Sequence, residues 1–197
     1  MAAVSMSDNP VQPRFPASLT DLISRAGKAA TERPVEGWNP AGCGEIDIRV
    51  DVDGNWFHEG GKIDREALVR LFASIMRREP DGCFVLVTPV EKLVIKVDDA
   101  PFVAVEMAGE GAGANQVLTF RTNVGDIIRL DEDHPLRFDV DADDQGLKPY
   151  IRVRGGLEAL VTRALMYDLV ELAVEHDGVA GLWSGGMFFP LPREDGA

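Results

Sequence analysis

From Ile46 the chain alternates. Ile46, Ile48, Val50 and Val52 are apolar and the residues between them are charged, the period of a strand with one buried face. Asp53-Gly54 is a hairpin turn signal, and Trp56 and Phe57 open the return strand with their rings expected to pack inward. The period then changes. Leu68, Leu71, Phe72, Ile75 and Met76 recur at helical spacing, which predicts an amphipathic helix capped by Asp64, with Glu66 and Arg70 paired on its wet face. FVLVT, KLVIKV, PFVAVEM, VLTFRT and DIIRL read as further strands, and two more flank the acidic turn in FDVDADDQGLKPYIRV. Residues 157–175 are apolar nearly all round, which predicts a long buried helix. A closing hairpin follows, with turns at Asp177-Gly178 and Gly185-Gly186.

Upstream, Pro10, Pro13 and Pro16 interrupt a stretch without hydrophobic period, so residues 1–17 are expected to be a disordered tail. Ser18 then caps a helix carrying Leu19, Leu22, Ile23 and Ala26, which Pro34 ends, and Trp38 is a candidate apolar anchor in the loop beyond. The order hairpin, helix, hairpin occurs twice, once from RVDVDGNW and again from FDVDADDQ. The class is therefore α+β: two small domains, 18–98 and 99–197, with duplicated motifs and mainly antiparallel sheets.

Composition narrows the function. The 197 residues include 33 acidic and 20 basic side chains, a net charge of −13. That balance opposes binding to a nucleic-acid polymer, whose phosphates would be repelled. It leaves room for a small anion in a local basic pocket. Two cysteines, Cys43 and Cys83, are too few for a disulfide framework. No apolar run reaches the length of a membrane span and no secretory signal is evident, so a cytoplasmic protein is expected.

Several chemistries fail on spacing. Counted as a calcium loop from Asp51, the chain puts Gly54 at position 4 and Lys62 at position 12, where a bidentate carboxylate belongs. Gly109, Gly111 and Gly113 lack both the Lys-Ser/Thr and the helix of a phosphate loop, and read as a hairpin loop. His58, His134 and His176 are scattered, so no metal and no cofactor is implied. Cys43 reads as a buried thiol and Ser184 as a turn serine.

Three short runs carry candidate binding groups. In YIRVRGGLEA, Arg152 and Arg154 share one strand face, about 7 Å apart, before Gly155-Gly156 and the expected helix N-terminus. Two guanidinium forks beside open N–H groups could hold an anion. They could equally be structural partners for the acidic surface, with Glu158 and Arg163 paired in the same network. Thr88 and Glu91 lie in TPVEK, and Arg121, Thr122 and Asn123 end the strand FRTN. Such polar groups line small-molecule clefts, although TPVEK also suits a simple proline turn.

Together, DGNWFHEGGKI, LVTPVEK, DDAPF, IRVRGGLEA and WSGG, spread from residue 38 to residue 191, resemble the bacterial domain-of-unknown-function family 1285. The resemblance implies a two-domain α+β protein with duplicated motifs and a C-terminal half superficially like pleckstrin-homology folds. It further implies a nucleotide-like ligand at the domain interface and a part in signal transduction. Carried over, the cleft would draw on Thr88, Glu91, Arg121, Thr122, Asn123, Arg152, Arg154 and Glu158. The favoured expectation is a non-enzymatic binding or regulatory protein. One alternative is an enzyme on a phosphorylated or acyl substrate, with Glu91 or Glu158 as base beside an arginine clamp. A protein-interaction adaptor with a protein partner is the other.

Overall fold

The computed structural model describes residues 34–140 and 146–192, so the tail over 1–17, the helix begun by Ser18 and the tip of the acidic turn lie outside the described residues. The first sheet is built from β1 (Gly42–Val50), β2 (Trp56–His58), β3 (Gly61–Lys62), β4 (Met76–Arg78), β5 (Phe84–Val87) and β6 (Glu91–Val97), with helix α1 (Glu66–Ser74) between β3 and β4. Alternation holds along β1 as far as Val50: Ile48 and Val50 are buried, Ile46 is partly so, and Asp47 and Arg49 are exposed, whereas Val52, expected on the same buried face, lies beyond the strand in the turn and is exposed. The sheet order is β3-β2-β1-β6-β5-β4, antiparallel except for a central parallel pair, β1 with β6.

The second sheet follows at once, from β7 (Phe102–Glu110), β8 (Val117–Thr122), β9 (Ile127–Arg129), β10 (Leu136–Val140), β11 (Leu147–Arg154) and β12 (Leu157–Val161). Its order is β10-β11-β12-β7-β8-β9, and again one central pair, β12 with β7, is parallel. Helix α2 (Arg163–Glu171) leads to a three-stranded antiparallel sheet of β13 (Val174–His176), β14 (Val179–Ser184) and β15 (Met187–Pro190). The closing hairpin turns fall where Asp177-Gly178 and Gly185-Gly186 place them.

The protein is thus mostly β, with two α-helices among the described residues, and less helical than an α+β reading expects. The largest departure is at 157–175, where a strand and a nine-residue helix replace one long helix. Leu157, Ala159 and Val161 are buried on one side of β12, which pairs with β11 and with β7. Helix formers yield here because a central strand position secures two ladders of hydrogen bonds. The first helix is also shorter than expected. Ile75 ends it and Met76 enters β4, while Arg65 rather than Asp64 holds the cap position.

The hairpin–helix–hairpin correspondence is not what relates the two sheets. Helix α1 sits between the two halves of the first sheet, whereas α2 comes only after the second sheet is complete. What the sheets share is strand order. Numbered within itself, each reads third, second, first, sixth, fifth, fourth. Both contribute to a single core, in which Val50, Trp56 and Met76 of the first sheet join Phe102, Phe120 and Ile151 of the second. The third sheet is latched onto the second at Ser184. Its fully buried hydroxyl accepts from the Leu118 N–H at 3.0 Å and donates to the Leu130 carbonyl at 2.7 Å.

Candidate functional site

The turn between β1 and β2 is organised by one carboxylate. Asp51 Oδ1 accepts from the backbone N–H of Asp53 at 3.0 Å and of Asn55 at 2.8 Å, and Oδ2 accepts from Asn55 Nδ2 at 3.1 Å. This is the side-chain mimic of a backbone turn for which aspartate is suited. Gly54 in the turn has φ +76°, and a Cβ there would lie 2.5 Å from Asn123 Nδ2. Only glycine lets this turn press against the second sheet. Asn123 fastens the approach, donating Nδ2–H to the Gly54 carbonyl at 3.1 Å and accepting the Val103 N–H at 3.1 Å.

Between this turn, the start of α1 and the β8–β9 turn lies a cleft of about 360 Å³. The first sheet and α1 supply Asn55, Trp56, Lys62, Ile63, Asp64, Glu66, Val69 and Arg70 to its walls, and the second sheet supplies Arg121, Asn123 and Val124. Trp56 is only 1% exposed and its ring is stacked on Phe72, with centroids 6.0 Å apart. Its Nε1–H is buried without an acceptor. A buried donor in that condition costs about 1–3 kcal/mol, and the indole is also a wall of the cleft.

The charges in the cleft divide into engaged and unengaged groups. Arg121 donates Nε–H to Glu106 at 2.7 Å, and Arg70 lies 3.6 Å from Glu66. Lys62 and Asp64, two residues apart where β3 leads into α1, have no ion pair among the described residues.

Of the residues singled out in the sequence, Arg121 and Asn123 line this cleft. Thr122 is buried and not part of the lining, and its hydroxyl accepts the Asp126 N–H at 3.0 Å. The others lie elsewhere. Thr88 closes its own turn, accepting from the N–H groups of Val90 at 3.4 Å and Glu91 at 3.2 Å, and Glu91 is exposed. Arg152 stands opposite Glu158 across the β11–β12 hairpin, but the Glu158 carboxylate is held by Arg137 at 2.8 and 3.1 Å.

Arg154 is parted from Arg152 by a register shift. It donates to Asp126 at 3.0 Å and to the Ala73 carbonyl at 2.6 Å, over the Phe102 ring. It ties α1 to the second sheet. Gly155, at φ +49°, turns a hairpin and not the start of a helix, so the helix N-terminus expected beside these arginines is not there. Asn55, Trp56, Lys62, Asp64 and Arg70 are not among the residues that the sequence motifs pick out. They come together only when α1 and the hairpin fold against the β8–β9 turn. The clue present in the sequence is the mixed-charge run from Lys62 to Arg70 directly behind a tryptophan.

Elsewhere, Cys43 is exposed, contrary to the buried thiol expected, because it sits at the outer start of β1. Among the described residues no cluster of histidine, cysteine and acidic side chains could hold a metal ion, and no helix is long and apolar enough to cross a membrane.

Two family models match the chain consecutively. Residues 33–100 match the N-terminal domain of DUF1285, a domain of unknown function, and residues 101–191 match its C-terminal domain. Among solved structures, a DUF1285 family protein from Silicibacter pomeroyi DSS-3 is 49% identical, with a TM-score of 0.78 over 86% of this chain and 93% of that one. A second, from Shewanella baltica OS155, is 27% identical with a TM-score of 0.49, over 63% of this chain and 90% of that one. Comparison with curated proteins finds no match.

Proposed function

The chain belongs to the DUF1285 family, and we propose that it is a binding protein for a small ligand bearing an anionic group, taken up in the cleft between the two sheets. The observation that carries this reading is the cleft itself. Both sheets wall it, and among its lining side chains Lys62 is a cation lacking an ion-pair partner among the described residues. Ligand pockets favour domain junctions. A ligand gripped from both sides would also stiffen the junction, which suits a regulatory protein.

The enzyme reading is less well supported. Glu158 is committed to Arg137, and neither it nor Glu91 lines the cleft.

The test is isothermal titration calorimetry of the full chain against AMP, GMP, inorganic phosphate, acetate and the common amino acids. At least one probe is expected to bind and to raise the melting temperature, and Lys62→Met with Arg121→Met is expected to abolish the heat. Binding that survives the double substitution, or no binding by any probe, would overturn the assignment.

A further inference from the structure

Helix α2 is apolar on the side it turns to the protein and apolar again on the side it turns away. Leu165 and Leu169 are buried, while Arg163, Ala164, Tyr167, Val170 and Glu171 are exposed. At about 100° per residue those five fall within an arc of roughly 120°, with Tyr167 at its centre. Tyr167 is 63% exposed and Val170 52%, and Val174, just beyond the helix, is 44% exposed. A solvent-facing helix side ordinarily carries charged or polar residues. Here the middle of the face is tyrosine and valine, and charge stands only at its two ends.

Those end charges are placed against the helix's own dipole. Acidic side chains are favoured in the first turn of a helix and basic ones in the last. Helix α1 follows the rule, with Glu66 in its first turn. In α2 the first residue is Arg163 and the last is Glu171, with no acid in the first turn and no base in the last. Both stand four residues from Tyr167, about 6 Å along the axis to either side. The face is thus self-complementary under a two-fold rotation. A second α2 laid antiparallel across Tyr167 brings its Glu171 level with Arg163 and its Arg163 level with Glu171. Each misplaced charge then meets a helix end of opposite sign. Arg163 also interacts within its own chain, and a guanidinium with five donors can serve a second carboxylate.

We propose that this face is a homodimer contact, in which two copies of the chain pair α2 antiparallel about Tyr167. None of these residues lines the cleft, so the contact stands apart from ligand binding. A nine-residue helix offers less than the roughly 800 Å² per partner of a standard interface, so the dimer is weak and exchanges with monomer.

The experiment is sedimentation velocity on the full chain, from about 10 μM to about 1 mM, the range in which contacts below standard size are populated. Salt at about 0.15 M screens the repulsion between copies, each of net charge −13. The wild type is expected to pass from monomer to dimer as concentration rises. Tyr167→Asp buries an unpaired charge at the centre and should weaken the dimer at least about tenfold. Arg163→Glu and Glu171→Arg each turn two attractive contacts into two repulsive ones, and each alone should weaken it about tenfold. Mixed in equal amounts, these two variants should form a heterodimer about as tight as the wild type, because every glutamate then faces an arginine. Arg152→Glu, an equal charge change on β11, should leave association unchanged. All the substituted side chains are exposed, and circular dichroism checks that each variant folds.

A wild type that stays monomeric throughout overturns the proposal, and a lowered Tm of Tyr167→Asp would then assign the face to other residues of the same chain. A dimer indifferent to Tyr167→Asp forms through another surface. If the two charge variants weaken association but their mixture does not restore it, the antiparallel pairing is wrong.

Discussion

Single atoms decide much of this protein's stability. The Ser184 hydroxyl is the partner of two buried backbone groups, one N–H and one carbonyl, on two different segments. Ser184→Ala removes both bonds without leaving room for water, and is expected to cost about 2–3 kcal/mol by urea denaturation. Trp56 presents the opposite case. Its N–H has no bond to lose, so Trp56→Phe is expected to unfold within about 1 kcal/mol of the wild type, relief of the orphan donor offsetting the smaller ring. Trp56→Ala should cost about 3–5 kcal/mol, because it empties a site in the middle of the core. A large loss in the phenylalanine variant would mean that the indole N–H has a partner after all.

Among the elements, the β1–β2 turn does more than reverse the chain. Gly54→Ala must place a side chain at φ +76° and push a methyl group into Asn123. The expected loss is about 2–4 kcal/mol in the same denaturation assay, from left-handed backbone strain and overlap together. A loss below 1 kcal/mol would show that the junction gives way easily. The turns and most strands are legible in the sequence because alternation and Asp-Gly or Gly-Gly pairs are local signals: the strand from Ile46, the turn at Gly54 and the closing hairpin all follow them. β12 is not legible, since LEALV favours a helix and becomes a strand only through partners that include β7, more than fifty residues earlier in the chain. For the candidate site the division is similar. Arg121 and Asn123 could be picked out as polar groups at a strand end. Lys62 and Asp64 acquire meaning only from what the fold sets opposite them.

Across the whole molecule, paired carboxylates make stability depend on acidity. Lys92, followed by Arg77, holds Glu79 below the usual glutamate range, and Arg49 does the same for Asp98. Backbone hydrogen bonding from Cys83 lowers Asp81. With folded values below unfolded ones, the unfolded chain binds more protons in the interval between them, so stability rises with pH there. The contribution is complete above the ordinary carboxylate range and is lost as pH falls below about 4. Urea midpoints are expected to be flat from pH 7 to 5 and to drop steeply from 4 to 3, and Glu79→Gln should make the drop shallower. A profile unchanged by that substitution would remove Glu79 from the account. The matching strand order of the two sheets has a temporal consequence. Each sheet is sealed by a parallel pair between its first and last strands, so during synthesis β1 waits for β6 and β7 waits for β12. Every strand of the first sheet has emerged before the second sheet begins, yet Val50 and Trp56 belong to a core they share with Phe102 and Ile151. A nascent chain therefore carries a paired sheet with one greasy face uncovered until the downstream strands arrive, and that interval is when it most needs a chaperone.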